Sequence, residues 1–133
     1  MDQLNERFGE VEKRLQRYGV SAVVPFSDDQ EFHANEAGYL GFEKHGSRWR
    51  LLYILEEVGF GDRRLKEEPL VSAPRWVRLA AATLLPELVE TVKASAAREA
   101  AQVREAVDAV NDVLRTLPLD IVAESGLDDD LPF

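Results

Sequence analysis

One long stripe of apolar and small side chains in the C-terminal half constrains the fold more than any other feature of this chain. The stripe repeats at steps of three or four residues and consists of Leu85, Val89, Val92, Ala96, Ala100, Val103, Val107, Val110, Leu114 and Leu117. This spacing places every member on one face of an α-helix, in a heptad-like pattern. A helix of roughly 30 residues is about 45 Å long, which is more than a small domain needs to cover its sheet.

Three arrangements would bury this stripe, and the sequence leaves the choice between them open. The helix folds back on an N-terminal helix of its own chain, or it associates with another copy, or it receives a different protein. Several stripe positions are alanine, and small side chains permit the close approach of a second helix. A homo-oligomer formed through the long helix is therefore one of the predictions.

The remaining pattern predicts a single α+β domain over residues 1–117. Apolar residues recur at helical spacing through residues 2–18 and stop at Gly19, which predicts an N-terminal helix. A small antiparallel sheet follows, and its clearest part is a central hairpin. Its two strands are residues 39–44 and 48–56, joined by His45-Gly46-Ser47.

Weaker signals complete the sheet and its connections. Residues 20–26 predict a short strand, and Pro25 either confines it to an edge of the sheet or ends it. The second hairpin strand is partly apolar on both faces, so we expect it to be central or covered at one end. Residues 63–72 are interpreted as a basic run followed by a connector. Pro74 suits the first turn of a helix, and Pro86 either kinks that helix or opens a new one.

The composition argues against several kinds of site. The 133 residues include no cysteine, which excludes disulfides and thiolate metal sites. His33 and Glu36 lie in an acidic segment, but their spacing matches no recognised metal motif. The two histidines have no catalytic partner motif, so we expect no enzyme activity, no metal and no cofactor.

No apolar run approaches the roughly 20 residues of a membrane span, and the first residues lack a signal-peptide pattern. We therefore expect a cytoplasmic protein with no membrane partner.

The acidic residues are concentrated at the C-terminal end. The formal net charge is −9, yet residues 118–133 hold five acids and no base, which leaves −4 for a body that carries all 16 lysines and arginines. Negative charge disfavours nucleic acid, but its distribution matters more than its sum. Residues 118–133 are predicted to form a flexible acidic tail, and the body is free to present a basic face.

Basic and aromatic residues are interleaved around the hairpin and in the segments that follow it. Cations hold phosphates and aromatic rings stack on bases, so this mixture is typical of a groove for single-stranded nucleic acid. The same aromatic residues are equally suited to a core beside an ordinary charged surface. The residues predicted to line the groove are Lys44, Arg48, Trp49, Arg50, Tyr53, Arg63, Arg64, Lys66, Arg75, Trp76 and Arg78.

The last six residues carry the most specific signal in the chain: Asp128-Asp129-Asp130-Leu131-Pro132-Phe133. Phe133 offers an aromatic ring and a terminal carboxylate to a pocket with an apolar floor and a basic lip. Pro132 keeps Leu131 extended, which lowers the cost of ordering the peptide. The three aspartates repel one another and favour an open chain that a basic rim attracts.

This tip resembles the acidic C-terminal tip of bacterial single-stranded-DNA-binding proteins, which ends in Asp-Asp-Asp-Ile-Pro-Phe or a close variant. Leu131 stands where that family usually has isoleucine. The resemblance implies docking onto genome-maintenance proteins such as helicases, primase, exonucleases and recombination mediators. It implies that residues 128–130 meet the basic rim of the partner, and that Leu131, Pro132 and Phe133 fill its pocket.

The body departs from that family. Its oligonucleotide-binding barrel needs five strands, whereas about three are identified here, and the long linker rich in Gly, Pro and Gln is missing. The fold is therefore predicted not to be an oligonucleotide-binding fold. The leading hypothesis is a single-stranded-DNA-binding protein of different fold, whose tail recruits replication, recombination and repair proteins. The alternative is an adaptor, or an inhibitor from a phage or mobile element, that mimics the tail and binds no DNA.

Overall fold

The computed structural model describes residues 2–27, 35–59 and 63–117. The chain has an α+β fold, as predicted. In order, its elements are helix α1 (Asp2–Leu15), strands β1 (Ala22–Pro25), β2 (Glu36–His45), β3 (Arg48–Glu57) and β4 (Arg63–Pro69), and helix α2 (Arg75–Thr116). Single turns of 3-10 helix, Gln16–Tyr18 and Leu70–Ser72, follow α1 and β4. The chain divides into two compact units, Met1–Ala97 and Arg98–Phe133.

The N-terminal helix ends where the sequence predicts. After α1 and its 3-10 turn, Gly19 adopts a left-handed conformation with φ of 63° and donates its backbone N–H to Gln16 O. A residue without a Cβ takes this conformation at little cost, which makes glycine a common helix stop. The inward face of α1 contributes Phe8 and Leu15 to the core, and both are nearly inaccessible to solvent.

The four strands form an antiparallel sheet in the order β1-β2-β3-β4. The edge position of β1, which includes Pro25, and the central position of β3 confirm the predictions made for these strands. The hairpin between β2 and β3 turns at Gly46 and Ser47, and Gly46 has a φ of 67°.

Strand β4 corrects the interpretation of residues 63–72, which was a basic run followed by a connector. Arg63–Pro69 pairs along β3, from Glu57↔Arg63 to Leu52↔Pro69, with an irregularity in register between Leu55 and Glu56. Charged residues are poor strand formers in isolation, but the backbone hydrogen bonds of a neighbouring strand override that preference. The described residues thus contain four strands, one more than the sequence indicated.

The main core lies between one face of the sheet and the two helices. From the sheet it contains Leu40, Phe42, Leu51 and Tyr53; from α2 it contains Val77, Ala81, Leu88 and Val92. Phe8 and Leu15 of α1 also belong to it. Helix α2 continues through Pro86, so this proline neither ends the helix nor opens a new one. Val92 of the apolar stripe is thus buried, and Leu85, Val89 and Ala96 are half-buried against the core, so the first part of the stripe packs within its own chain.

The opposite face of the sheet is also closely packed. Leu52 and Ile54 of β3 have no solvent exposure, although they lie outside the main core. Gly41 of β2 lies directly opposite Leu52, and a Cβ at Gly41 would lie 2.6 Å from the Ile54 Cδ1 atom. Glycine at this position therefore makes room for the buried isoleucine.

The C-terminal part of α2, within the second unit, exposes its apolar residues. Val103, Val107, Val110, Val113, Leu114 and Leu117 are each more than half exposed. This part of the stripe is left uncovered by the described residues. None of the helices in the described ranges combines the length and the apolar character that a membrane span requires.

Candidate nucleic-acid interface and docking surfaces

The basic residues of the predicted nucleic-acid groove lie among carboxylates, and Arg64 is the clearest case. Its guanidinium donates to Glu43 through two hydrogen bonds of 2.8 Å and to Glu67 through one of 2.7 Å. Glu56 lies 3.7 Å from the Arg64 Nε atom. The hydrogen bonds to Glu43 raise the pKa of Arg64, and the hydrogen bond from Arg64 lowers the pKa of Glu67. These mutual shifts are typical of a charge-assisted network.

Other cations of the predicted groove have partners too. Arg63 pairs with Glu57 at 2.9 Å, and Lys66 lies 4.0 Å from Glu68. The Arg50 Nε atom lies 3.6 Å from the Glu12 Oε2 atom of α1. Arg78 donates to the Asn5 side chain at 3.4 Å. A phosphate would have to compete with these neighbours for each cation.

Three cations of the predicted groove are exposed and have no side-chain partner among the described residues, unlike the arginines and the lysine discussed above. Lys44, Arg48 and Arg75 are exposed, and none forms an ion pair within the described part of the chain. Lys44 and Arg48 flank the hairpin turn, and Arg75 begins α2. These three side chains retain full capacity for an anionic partner.

The aromatic residues of the predicted groove belong partly to the core. Tyr53 is 5% exposed, and its ring contacts those of Phe26 and Trp76 at centroid distances of 5.9 Å and 6.4 Å. Burial is the main cause of the raised pKa of Tyr53. Trp49 is half-buried and stacks on Phe42 at 5.4 Å. Trp76, at 39% exposure, is the most accessible of the three predicted stacking rings.

Strand alternation divides the predicted groove between two faces of the sheet. Lys44 and Trp49 lie opposite each other on the helix-covered face, which Tyr53 shares. Arg50 lies on the other face, and so does Arg64, whose partner across the strands is Glu56. The structure therefore brings Tyr53 and Trp76 together but places the hairpin cations on both sides of the sheet.

Sequence reasoning missed the carboxylates that hold these cations. Glu12 is buried, and its Oε2 atom accepts the backbone N–H of Leu51 at 2.8 Å. Glu43 and Glu56 lie directly across the strands from Arg50 and Arg64. The alignment of acids with bases would have been visible once residues 63–69 were assigned to a strand. Glu12 gives no such signal, because it resembles any other charged residue of an amphipathic helix.

Two cavities lie beside α1. The larger, of about 610 Å³, lies between α1 and the hairpin turn, and Glu6, Arg7, Glu10, Lys13, Arg48 and Trp49 are among its lining residues. Its acids and bases are balanced. The second, of about 320 Å³, lies between α1 and α2 and is lined by Val11, Arg14, Leu15, Arg17, Tyr18, Val89 and Lys93. All its charged lining residues are basic.

The predicted docking tip, residues 128–133, lies outside the described residues, as does His33. Among the described ranges there is no cluster of side chains suited to hold a metal ion. For the tip, only the sequence is informative. The surfaces that the structure describes are those of the sheet, the two cavities beside α1 and the exposed stripe of α2.

Comparison with known proteins found no match: no family model, no curated protein and no solved structure is similar to this chain.

Proposed function

We propose that the protein is a non-enzymatic cytoplasmic adaptor of DNA replication, recombination or repair. It docks onto genome-maintenance proteins through Asp128–Phe133. The sequence of this segment carries the proposal, since it combines three aspartates with Leu131, Pro132 and Phe133. Such a peptide suits a pocket with a basic rim and an apolar floor.

The pairing of the body's cations favours an adaptor over a protein whose main ligand is DNA. Arg63 and Arg64 already contact glutamates, and Arg50 lies near Glu12. Binding DNA through these residues would require breaking the contacts first, including the two hydrogen bonds from Arg64 to Glu43. Tyr53 would have to leave the core to stack on a base.

The exposed apolar stripe in the C-terminal half of α2 supports an adaptor that contains several copies of this chain. Written as heptads, its a positions are Ala100, Val107 and Leu114, and its d positions are Ala96, Val103, Val110 and Leu117. Burying this stripe against the same stripe of other copies removes apolar surface from water. Several tips then act on one partner assembly, which raises overall avidity without any new contact at each tip.

The charges beside the stripe favour parallel helices. In the same heptads, Glu99 takes a g position and Arg104 the following e position, and both are exposed. In a parallel coiled coil, a g residue of one helix faces the following e residue of its neighbour. Glu99 of one copy and Arg104 of another would therefore attract. Parallel helices also bring the C-terminal tips to the same end of the assembly.

The docking proposal is tested by binding to a purified exonuclease that recognises the tip of bacterial single-stranded-DNA-binding proteins. We expect Phe133→Ala to weaken binding by about tenfold or more, because the ring fills the pocket. Leu119→Ala is the matched control. It shortens an apolar side chain within residues 118–133 but outside the tip, and this variant should bind like the unmodified protein. Equal affinity of the Phe133→Ala and unmodified proteins would remove the basis of the proposal.

Single-stranded-DNA binding is the second candidate function. It is favoured by the exposed cations Lys44, Arg48 and Arg75, and by Trp76, which follows Arg75 and is partly accessible. Cations beside an accessible ring suit a flexible strand. Only part of the predicted groove would then contact DNA.

Titration of labelled oligo-dT separates the two candidates. The full chain and a form ending at Gly126 are compared by fluorescence anisotropy at low and moderate salt. Binding by both, tighter for the shortened form, would show a DNA-binding body with which the acidic tail competes. Absence of binding by either form at low salt would leave the adaptor as the only candidate.

A further inference from the structure

The cavity between α1 and α2 combines apolar side chains with basic ones. We call it the α1–α2 pocket and define it by its lining residues: Val11, Arg14, Leu15, Arg17, Tyr18, Val89 and Lys93. Its volume of about 320 Å³ is at the lower end of the range for small-molecule sites, about 300–1,000 Å³. This size suits a ligand with a single apolar group.

The floor of the pocket belongs to the packed interior of the protein. Leu15 is 4% exposed. Val11, Tyr18 and Val89 are half-buried and pack against the core. Because packing holds these side chains in place, an apolar group that enters buries its surface with little reorganisation of the protein.

The lip of the pocket carries three exposed cations, Arg14, Arg17 and Lys93. Arg14 lies 3.6 Å from Glu10, and Lys93 lies 3.9 Å from Glu90. Ion pairs this exposed contribute little to stability, so an incoming anion competes readily for both cations. Three cations and these two acids leave the lip with a net charge of +1, which matches a ligand with one negative charge.

The hydroxyl of Tyr18 adds a neutral donor beside the lip. The guanidinium of Arg17 lies 5.3 Å from the centroid of the Tyr18 ring and donates to the Tyr18 hydroxyl oxygen at 3.5 Å. A tyrosine hydroxyl donates as well as accepts, and within the described ranges no acceptor takes the hydrogen of Tyr18. A carboxylate that approaches Arg17 therefore meets a second donor at the same place.

We propose that the α1–α2 pocket binds a small carboxylic acid with one apolar group, such as a medium-chain fatty acid. The carboxylate pairs with the cations of the lip, and the apolar group fills the floor. The larger cavity beside α1 does not offer this combination, because acids and bases are balanced among its lining residues. The inference is independent of the docking role proposed for the tip.

Occupancy of the pocket would link two elements of the fold. Arg14 lies in α1 and Lys93 in α2, so one bound carboxylate attracts side chains of both helices. A ligand that binds only the folded state stabilises it, and the gain grows with the concentration of the ligand. The Tm of the full chain should therefore rise with the concentration of the acid.

The test titrates the full-length protein with octanoate and follows the backbone amides by nuclear magnetic resonance. We expect saturable shifts within residues 11–18 and 89–93, with a dissociation constant between micromolar and millimolar for a ligand of this size. Octanol lacks the charge and acetate lacks the apolar chain. Each should bind about tenfold more weakly or less tightly still.

Two variants separate the lip of the pocket from its floor. Replacing Arg14 and Lys93 together with glutamate should weaken octanoate binding about tenfold or more, since two attractions become repulsions. Both side chains are more than half exposed, so the fold should tolerate the change, and circular dichroism checks it. Val89→Phe leaves the charge unchanged but occupies the floor with a larger side chain, and it should weaken binding as well.

The matched control replaces Lys44 and Arg48 with glutamate, which makes the same change of charge outside the pocket. This control should bind octanoate like the unmodified protein. Equal loss in the two double variants would reduce the effect to general charge and overturn the inference, as would the absence of saturable binding in the millimolar range. Binding to vesicles of phosphatidylglycerol without binding of free octanoate would also overturn it, since a lipid surface would then be the ligand. Docking onto the exonuclease is measured separately, so the pocket and the proposed function fail independently.

Discussion

The Oε2 atom of Glu12 accepts a hydrogen bond of 2.8 Å from the backbone N–H of Leu51, across 39 positions of sequence. Glu12 is the one buried charged residue among the described residues, and Leu51 has no solvent exposure. Leu51 lies opposite Phe42 of β2, but the pairing of β3 with β4 ends at Leu52, and a helix side chain satisfies this backbone N–H of a central strand. This contact joins α1 to β3.

Replacing Glu12 with alanine should destabilise the fold by about 1–3 kcal/mol, because the N–H of Leu51 would be buried without an acceptor. It would also remove the carboxylate that lies 3.6 Å from the Arg50 Nε atom. Urea unfolding followed by circular dichroism measures the change. The control is Glu10→Ala, which removes an exposed carboxylate from the same helix and should cost about 0.5 kcal/mol or less. Similar losses for the two variants would deny Glu12 its special role.

Gly41→Ala should cost about 1–3 kcal/mol, because the added Cβ meets the Ile54 Cδ1 atom at 2.6 Å and the Val23 Cγ1 atom at 3.3 Å. Ile54→Val removes the Cδ1 atom, so the double variant should lose less stability than the two single losses together. The control is Gly9→Ala in α1, where the added Cβ meets nothing within 4 Å. That change should stabilise the helix by about 0.5–1 kcal/mol. Additive losses in the double variant would contradict the proposed clash.

Local patterns in the sequence were sufficient for α1, for the central hairpin and for the C-terminal end of α2. They did not give the length of α2, which has 42 residues because it continues through Pro86. Each of the three successes depends on a periodicity or a turn residue that acts within a few positions, such as Gly19 or Gly46. Strand β4 was missed because its charged residues become a strand only through pairing with β3, which is a non-local effect. The sequence also could not foresee Glu12, since its partner is a backbone group 39 positions away.

The candidate site was harder to predict than the fold for the same reason. Counting cations along the chain identified Arg64 as a residue for phosphates, whereas Glu43, which it contacts, comes from a different strand. Aromatic residues carry no local sign of whether they are buried. Tyr53 and Trp76 lie 6.4 Å apart, yet one is buried and the other is partly accessible.

Stability on the acidic side should depend on Glu67. The pKa of Glu67 is lower in the folded state than its ordinary value of 4.5. The ionised carboxylate therefore stabilises the fold above pH 4.5, and this stabilisation is lost as the pH falls through the lowered pKa. Arg64→Gln removes the main cause of the shift. We expect the pKa of Glu67 to rise towards 4.5, and the stability difference between the variant and the unmodified protein to shrink in acid.

Nuclear magnetic resonance titration of the Glu67 side chain measures this shift directly. Since Arg64 is about one-third exposed, its loss near neutral pH should cost no more than about 1 kcal/mol. Arg63→Gln serves as the control, because Arg63 pairs with Glu57 and, among the described residues, forms no hydrogen bond or ion pair with Glu67. An unchanged pKa of Glu67 in the Arg64→Gln variant would show that Arg64 does not cause the shift.

Stability on the alkaline side should depend on Tyr53. Its pKa is raised from 10.0, first by burial and then by the nearby charges of Glu68 and Glu36. The unfolded chain therefore ionises first, and the folded state loses stability as the pH rises above 10.0. Tyr53→Phe should remove a tyrosine that ionises above pH 10.0 in an ultraviolet titration and make alkaline unfolding less steep. Tyr39→Phe is the control, and an equal effect of both changes would contradict the assignment.

Val107→Asp should break the assembly that we propose for α2. Val107 lies at a central a position of the stripe and is 51% exposed, so an aspartate would disturb contacts between copies more than the core. Light scattering coupled to size exclusion should show a smaller mass for this variant and an unchanged mass for Gln102→Asp, which lies off the stripe.

The orientation of the helices is tested by exchanging the flanking charges. Glu99→Lys and Arg104→Glu should each weaken the assembly, because either change places like charges across a parallel interface. The double variant restores opposite charges at both positions, and its mass at a given concentration should return towards that of the unmodified protein. Recovery is specific to neighbouring helices that run in the same direction and in register, since only then do these two residues face each other. An unmodified protein that stays monomeric at high concentration would exclude the assembly, whereas a stable assembly indifferent to all three charge variants would exclude its parallel arrangement.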